Sequence, residues 1–176
     1  MAEIDIERRI AVELRADGRR LVGHAAVFNV RARIADFTES IAPGAFAASL
    51  AAGADVVALV DHDRGRLLAR TKSGTLRLSE DAKGLRFELD VPSTQLGNDT
   101  LALAERGDLG GARFGFTVPK GGDSWQGNDR TLNNVNLVDV SIVNSFPAYP
   151  QTEVMARARG DRRLTLALAK RQIAMF

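Results

Sequence analysis

The sequence predicts an α+β fold, mainly antiparallel β and barrel-like, with a few helices. Many short segments alternate apolar and polar residues, turn-forming residues separate them, and only two or three segments have helical spacing. The chain has 176 residues, of which 45% are hydrophobic and 16 are glycine. This length and composition suit a single compact domain with its own core.

The first half of the chain begins with a predicted β-hairpin. Residues 10–14 and 21–27 alternate apolar and polar side chains on either side of the Asp17-Gly18 turn signal. Residues 43–50 are predicted to form a short helix, because Pro43 lies near its start and apolar side chains recur four residues apart.

The middle of the chain begins with a predicted buried strand, the apolar run Val56–Val60, which ends at Asp61-His62-Asp63. Alternating segments on either side of residues 80–84 predict a second hairpin. Residues 94–106 have helical spacing.

The last part of the chain predicts two more strands and a helix. Residues 113–118 alternate around Phe114 and Phe116, residues 121–129 are predicted to be a loop, and Leu132–Val143 one long strand. Arg162–Met175 has the pattern of a basic amphipathic helix. We therefore expect a main domain at residues 1–159 and a basic helix or tail at residues 160–176.

Composition excludes several classes of site. The chain has no cysteine and only two histidines, so disulfides, thiol catalysis and cysteine-bound zinc are excluded, and we expect no cofactor and no metal. No apolar run approaches the length of a membrane span, and the acidic N-terminus does not resemble a signal peptide. We expect a soluble cytosolic protein without a membrane partner.

Charge is distributed unevenly along the chain. Residues 155–176 contain six basic residues and one acidic residue, so the rest of the chain carries about −3 of the formal net charge of +2. A negative body does not favour specific nucleic-acid binding, which needs a basic surface to neutralise phosphates. The basic tail could contact phosphate or an acidic partner, or could be a solvated helix face.

His62 is the first candidate for chemistry. It follows a buried strand and lies between two aspartates, whose carboxylates could hold one tautomer of the imidazole and favour its protonated form. The alternative is a solvated loop histidine. His24, within a predicted strand, is expected to be structural.

Asp139, Ser141 and Arg113 are the other candidates. Asp139 and Ser141 lie two residues apart in a strand pattern, so their side chains project from the same face. A carboxylate buried there needs a partner, and orienting His62 would supply one. The alternative is an exposed strand face. Arg113 lies on the face opposite Phe114 and Phe116, where any polar residue would be permitted.

Several motifs, taken in order, resemble one known family. They are Gly23-His24-Ala25-Ala26-Val27-Phe28, Glu39-Ser40-Ile41-Ala42-Pro43-Gly44-Ala45-Phe46, Val57-Ala58-Leu59-Val60-Asp61-His62-Asp63, Gly74-Thr75-Leu76, Gly84-Leu85, Phe114-Gly115-Phe116, Val138-Asp139-Val140-Ser141-Ile142-Val143 and Pro147-Ala148-Tyr149-Pro150. Over about residues 8–159 the chain resembles the prohead (capsid-maturation) serine proteases of tailed bacteriophages. That family's fold is similar to that of the herpesvirus assemblins.

The resemblance implies a role for each candidate residue. His62 matches the family's catalytic histidine, Asp139 matches an acidic residue that would orient it, and Gly110-Gly111 would contribute backbone oxyanion donors. The family's usual serine, directly before Phe-Gly-Phe, is replaced by Arg113, and a guanidinium cannot act as a nucleophile. Three explanations stay open: an inactive homologue, an altered form of an active enzyme, or Ser141 as a substitute nucleophile.

The resemblance also implies a function and partners. The chain would be an endopeptidase that processes scaffold and major capsid protein, with self-association, inside the assembling prohead in the bacterial host cytoplasm. The first alternative is a catalytically dead homologue that acts as a capsid-assembly or binding protein. Another, outside the family, is a small β-barrel binding module with no capsid role.

Overall fold

The computed structural model describes residues 6–11 and 14–144 of the chain. The helix predicted at Arg162–Met175, the tail at residues 160–176 and the segment Pro147–Pro150 lie outside the described residues.

The described residues form thirteen strands and two helices, which confirms a strand-rich α+β fold. The strands are β1 (Glu7–Ala11), β2 (Leu14–Asp17), β3 (Arg20–Val27), β4 (Ala32–Ile34), β5 (Phe37–Ile41), β6 (Val57–Val60), β7 (Asp63–Arg70), β8 (Leu76–Glu80), β9 (Gly84–Asp90), β10 (Gly111–Thr117), β11 (Asp123–Gln126), β12 (Asp129–Leu132) and β13 (Asn136–Val143). The helices are α1 (Ala47–Ala51) and α2 (Gln95–Arg106). Neither described helix is long and apolar enough to cross a membrane.

These strands are arranged in three open sheets. Their orders are β1-β10-β13-β6-β7, β11-β12-β5-β4 and β2-β3-β9-β8. The pairing is mainly antiparallel, as predicted, with parallel pairs between β13 and β6 and between β12 and β5. The predicted barrel is wrong, because none of the sheets in the described part of the chain closes on itself. Alternation of apolar residues identifies the buried face of a strand but not whether the sheet has edges.

Several local predictions are confirmed. β2 and β3 form a hairpin around Gly18, which has φ of 59° and therefore the left-handed conformation that favours glycine. β8 and β9 form the second hairpin, and α1 and α2 lie in the segments predicted to be helical. Residues 7–11, however, are not part of the first hairpin. They form β1, which pairs antiparallel with β10.

The segment predicted as a loop at residues 121–129 is instead mostly a hairpin of β11 and β12. The predicted long strand at residues 132–143 is broken after Leu132, which ends β12, and resumes only at Asn136, the start of β13. It is interrupted because the backbone N–H groups of Asn133 and Asn134 both donate to the carbonyl of Gly122, each at 2.8 Å. This interruption lets β12 join one sheet and β13 another.

The buried core includes a group of phenylalanines, two of them on β10 of the five-stranded sheet. The ring of Phe46, which precedes α1, packs edge-on against Phe114 with 5.4 Å between centroids, and Phe114 stacks on Phe116 at 5.0 Å. All three side chains are fully buried or nearly so. The phenylalanines of β10 therefore face α1 and the core, which leaves Arg113 on the opposite face of the strand.

A buried ion network connects the five-stranded sheet to the sheet that contains β5 and β12. Arg9 of β1 pairs with Glu39 of β5, and Arg130 of β12 binds Glu7 of β1 at 2.6 Å and Glu39 at 3.1 Å. Arg130 also binds Asp123 of β11 at 2.8 Å. Each buried charge thus has an opposite partner, as burial requires.

Candidate active site

His62 lies in the tight turn between β6 and β7. Asp61 and His62 have φ values of 53° and 58°, a left-handed conformation that residues other than glycine rarely adopt. The Asp61 carboxylate accepts hydrogen bonds from the backbone N–H of Asn144 at 3.0 Å and from its side-chain amide at 2.7 Å. The Asp61 N–H in turn donates to the carbonyl of Ile142 at 2.9 Å. These contacts fix the turn, and with it His62, to the end of β13.

The imidazole of His62 is held by Asp139. Its Nδ1 lies 2.6 Å from Asp139 Oδ1, and the two side chains are only 10% and 6% exposed. Asp139 reaches His62 because β13 runs parallel beside β6, with Asp139 paired to Val57. Hydrogen bonding of Nδ1–H to the carboxylate leaves Nε2 as the second functional atom of the ring.

Ser141 belongs to the same hydrogen-bonded group. Its hydroxyl donates to Asp139 Oδ1 at 2.8 Å, and the residue is fully buried. Asp139 and Ser141 therefore share one strand face, and a single carboxylate oxygen accepts from both Ser141 and His62. The Ser141 hydroxyl proton is directed to Asp139.

Arg113 lies on the neighbouring strand, beside Ser141. The antiparallel register of β10 and β13 pairs Arg113 with Ser141, so their side chains project from the same face of the sheet. Arg113 is partly buried, and its Nε is buried without a hydrogen-bond partner. The Nε2 of His62 is likewise buried and unpartnered. The site thus contains one ring nitrogen and one guanidinium nitrogen that form no hydrogen bond with any described residue.

Gly115 makes room for the Asp139 carboxylate. The register pairs Gly115 with Asp139, and a Cβ added to Gly115 would overlap Asp139 Oδ2. A side chain at this position would displace the group that holds His62. Sequence reasoning did not assign this role to Gly115. The signal for it was a glycine within a strand between two phenylalanines, a pattern that indicates close approach of another group.

A family model described as caudovirus prohead serine protease matches residues 6–164 of the chain. The chain belongs to this family. No curated protein and no solved structure matched the chain. The description of the family is that of a serine-type peptidase of phage capsid maturation, and membership implies association with phage capsid proteins within the assembling capsid in the host cell.

Two expectations about this site do not hold for particular groups. The aspartates that flank His62 do not hold its ring, because Asp61 binds Asn144 and Asp63 Oδ1 accepts the backbone N–H of Gly65 at 2.8 Å. The backbone N–H of Gly110 is not a free oxyanion donor, because it donates to the carbonyl of Val143 at 2.7 Å. Gly110 is thus engaged by the end of β13, Asp61 by the residue that follows β13, and Asp63 by a local contact within β7.

The second histidine lies away from this site. His24 is on β3, and its Nε2 lies 2.8 Å from Asp81 Oδ2. The hydrogen bond with His24, aided by the backbone N–H groups of Gly84 and Lys83, lowers the pKa of Asp81 to about 2. Within residues 6–11 and 14–144, no group of three or more His, Cys, Asp or Glu side chains is arranged to hold a metal ion.

Proposed function

We propose that this chain is a head-assembly protein built on a serine endopeptidase site that retains its base but lacks its nucleophile. The observation that carries the proposal is the His62 imidazole, whose Nδ1 is held by Asp139 while its buried Nε2 has no partner. A general base that activates a serine has this arrangement, with one nitrogen oriented by a carboxylate and the other directed at the hydroxyl.

Arg113 occupies the position of that hydroxyl in the family pattern. A guanidinium has only N–H donors and no nucleophilic lone pair, so it cannot attack a carbonyl. A positive charge beside His62 would also disfavour the imidazolium that forms when the base accepts a proton. The unmodified chain is therefore expected to cleave peptides slowly or not at all.

Ser141 is a poor substitute nucleophile. Its side chain is fully buried, and its hydroxyl donates to Asp139 rather than to His62. A nucleophile must reach the substrate carbonyl and give its proton to the base within hydrogen-bond distance. We assign Ser141 the role of holding the Asp139 carboxylate in place.

Family membership supports the partners of this proposal. The chain would bind scaffold and major capsid protein, and associate with itself, within the assembling prohead in the host cytoplasm. Without turnover it would serve there as an assembly or binding protein. The proposal also includes a fold similar to that of the herpesvirus assemblins, as the family resemblance implies.

Restoring the hydroxyl tests the proposal. R113S is expected to cleave itself or a capsid scaffold segment. Its rate of cleavage should exceed that of the unmodified chain by several orders of magnitude. Adding H62A to R113S should abolish the gain, because the hydroxyl then lacks a base. Adding D139N should reduce it less completely, because the carboxylate orients the base rather than reacting itself. Cleavage is followed over time by intact mass for all four proteins.

R33S provides the matched control, because Arg33 is exposed on β4 and outside the site. It should be as inactive as the unmodified chain. Robust cleavage by the unmodified chain that survives R113A but disappears in S141A would overturn the proposal and identify Ser141 as the nucleophile.

A further inference from the structure

We infer that Arg113 and His62 form a binding site for a carboxylate group carried by a peptide. The inference rests on the proposed function, in which this site no longer turns over substrate, and it names the chemistry that the altered site recognises. The peptide partner fits a family that acts among capsid proteins.

The guanidinium of Arg113 supplies the main argument. It is partly buried, and across residues 6–11 and 14–144 no carboxylate pairs with it. By contrast, each of the buried cations Arg9 and Arg130 binds at least two carboxylates. Removing a cation from water without a counter-charge is costly, so a site of this kind favours binding of an anion.

Asp139 does not fill this role, although it is an acid on the same face of the sheet. Its Oδ1 already accepts from His62 and Ser141, and its Oδ2 lies against Gly115. Arg113 makes no hydrogen bond to it in the described structure. The N–H groups of the Arg113 guanidinium are therefore not used by Asp139 and can bind an external ligand.

His62 adds a second contact to the same ligand. Its Nε2 is buried and unpartnered, while Nδ1 is fixed by Asp139. The negative charge of a bound carboxylate would offset the charge of Arg113 beside the ring, so that an Nε2–H of His62 can donate to the carboxylate. The planar fork of arginine matches a carboxylate with two parallel hydrogen bonds, which a single hydroxyl or carbonyl cannot accept.

Two peptide sources carry this chemistry: the free C-terminus of a cleaved chain and an internal Asp or Glu side chain. Three probes separate them: N-acetyl-tetraalanine with a free carboxylate, the same peptide as its amide, and N-acetyl-Ala-Ala-Asp-Ala-Ala amide. Each is titrated into the full chain at constant ionic strength. The Nε–H signal of Arg113 and the ring nitrogens of His62 are followed by nitrogen-15 NMR.

The carboxylate probes should shift both signals, and the neutral amide should shift neither. Binding of the free C-terminus alone would assign the site to cleaved chain ends, and binding of the Asp peptide would extend it to acidic side chains. R113M should weaken binding at least about tenfold, the loss expected for one charge-assisted hydrogen bond. R113K keeps the positive charge but lacks the two-pronged guanidinium. Its affinity for the carboxylate probes should lie between those of R113M and the unmodified chain. R33M removes an exposed guanidinium outside the site and should change nothing.

Any of three results would reject the inference. The neutral amide could bind as well as the carboxylate probes, neither carboxylate probe could bind, or R113M could keep the full affinity. R113K guards against misfolding of R113M, because it preserves the length and charge of the side chain. The proposed function fails separately. Cleavage by R113S without carboxylate binding by the unmodified chain rejects only the binding site, whereas carboxylate binding with an inert R113S rejects only the lost-protease proposal.

Discussion

Gly115 shows how one residue determines whether the site can form. Its backbone lies directly against the Asp139 carboxylate, and a methyl group there would overlap Oδ2. G115A should therefore push Asp139 away from His62 and destabilise the fold by roughly 1–3 kcal/mol, the usual cost of overpacking a tight site. Urea unfolding measures the loss, and the NMR signal of the His62 ring reports the broken contact.

G65A is the matched control for G115A. A Cβ at Gly65 meets only the flexible side chain of Asp63, at 3.2 Å. This variant should unfold within about 0.5 kcal/mol of the unmodified chain, as most surface substitutions do. If G115A were equally well tolerated and left the His62 signal unchanged, the close approach would have no role in the site.

The sequence located the candidate residues better than it located their partners. His62 stood out because it follows a buried strand, and Asp139 because a carboxylate in an apolar strand needs a partner. Their contact depends on the parallel pairing of β13 with β6, which joins segments 77 residues apart. The need of a buried carboxylate for a partner suggested this link, and the family resemblance supported it. Local sequence suggested Asp61 and Asp63 instead, which bind other groups.

At the level of elements, the turn between β6 and β7 depends on its attachment to β13. Asp61 accepts two hydrogen bonds from Asn144 while holding a left-handed conformation. D61A should cost about 1–3 kcal/mol because both acceptors are lost. D61N should cost less, because asparagine tolerates this conformation and keeps one acceptor oxygen. Urea unfolding of both variants gives the comparison.

In a background of R113S, D61A should also reduce turnover, because His62 follows directly in the turn. Equal stability of D61A and D61N, with unchanged turnover, would show that the turn holds its shape without Asp61.

Elements with local signals could be predicted from sequence, and those without them could not. The β2–β3 and β8–β9 hairpins have turn residues between alternating segments, and α2 has helical spacing. The β11–β12 hairpin was missed because β11 is polar and largely exposed, so its pattern is that of a loop. Neither the parallel pairing of β12 with β5 nor the absence of closure has a local signal.

For the whole molecule, the ion network between two sheets makes stability depend on pH. Burial raises the pKa of Glu7, but its hydrogen bond with Arg130 and the charges of Arg9 and Arg130 outweigh burial and hold the pKa below 4.5. A lowered pKa in the folded state contributes stability above the unfolded value, and this contribution is lost as pH falls through the folded value.

E7Q should therefore be less stable than the unmodified chain at neutral pH, by roughly 1–3 kcal/mol for a buried hydrogen bond to a charged group. The difference should shrink as the pH falls below 4.5, where Glu7 itself becomes protonated. E105Q, an exposed position on α2, should match the unmodified chain throughout. Urea unfolding across the acid range measures all three, and a constant difference for E7Q would contradict this origin.

The central claim is that His62 is still arranged as a general base, although Arg113 occupies the position of the nucleophilic serine. The most direct measurement is labelling with a fluorophosphonate, which modifies only an activated hydroxyl, followed by peptide mass mapping of the unmodified chain, R113S, and R113S with H62A. The account predicts an adduct at position 113 in R113S and none in the other two proteins. An adduct on Ser141 in the unmodified chain would contradict it.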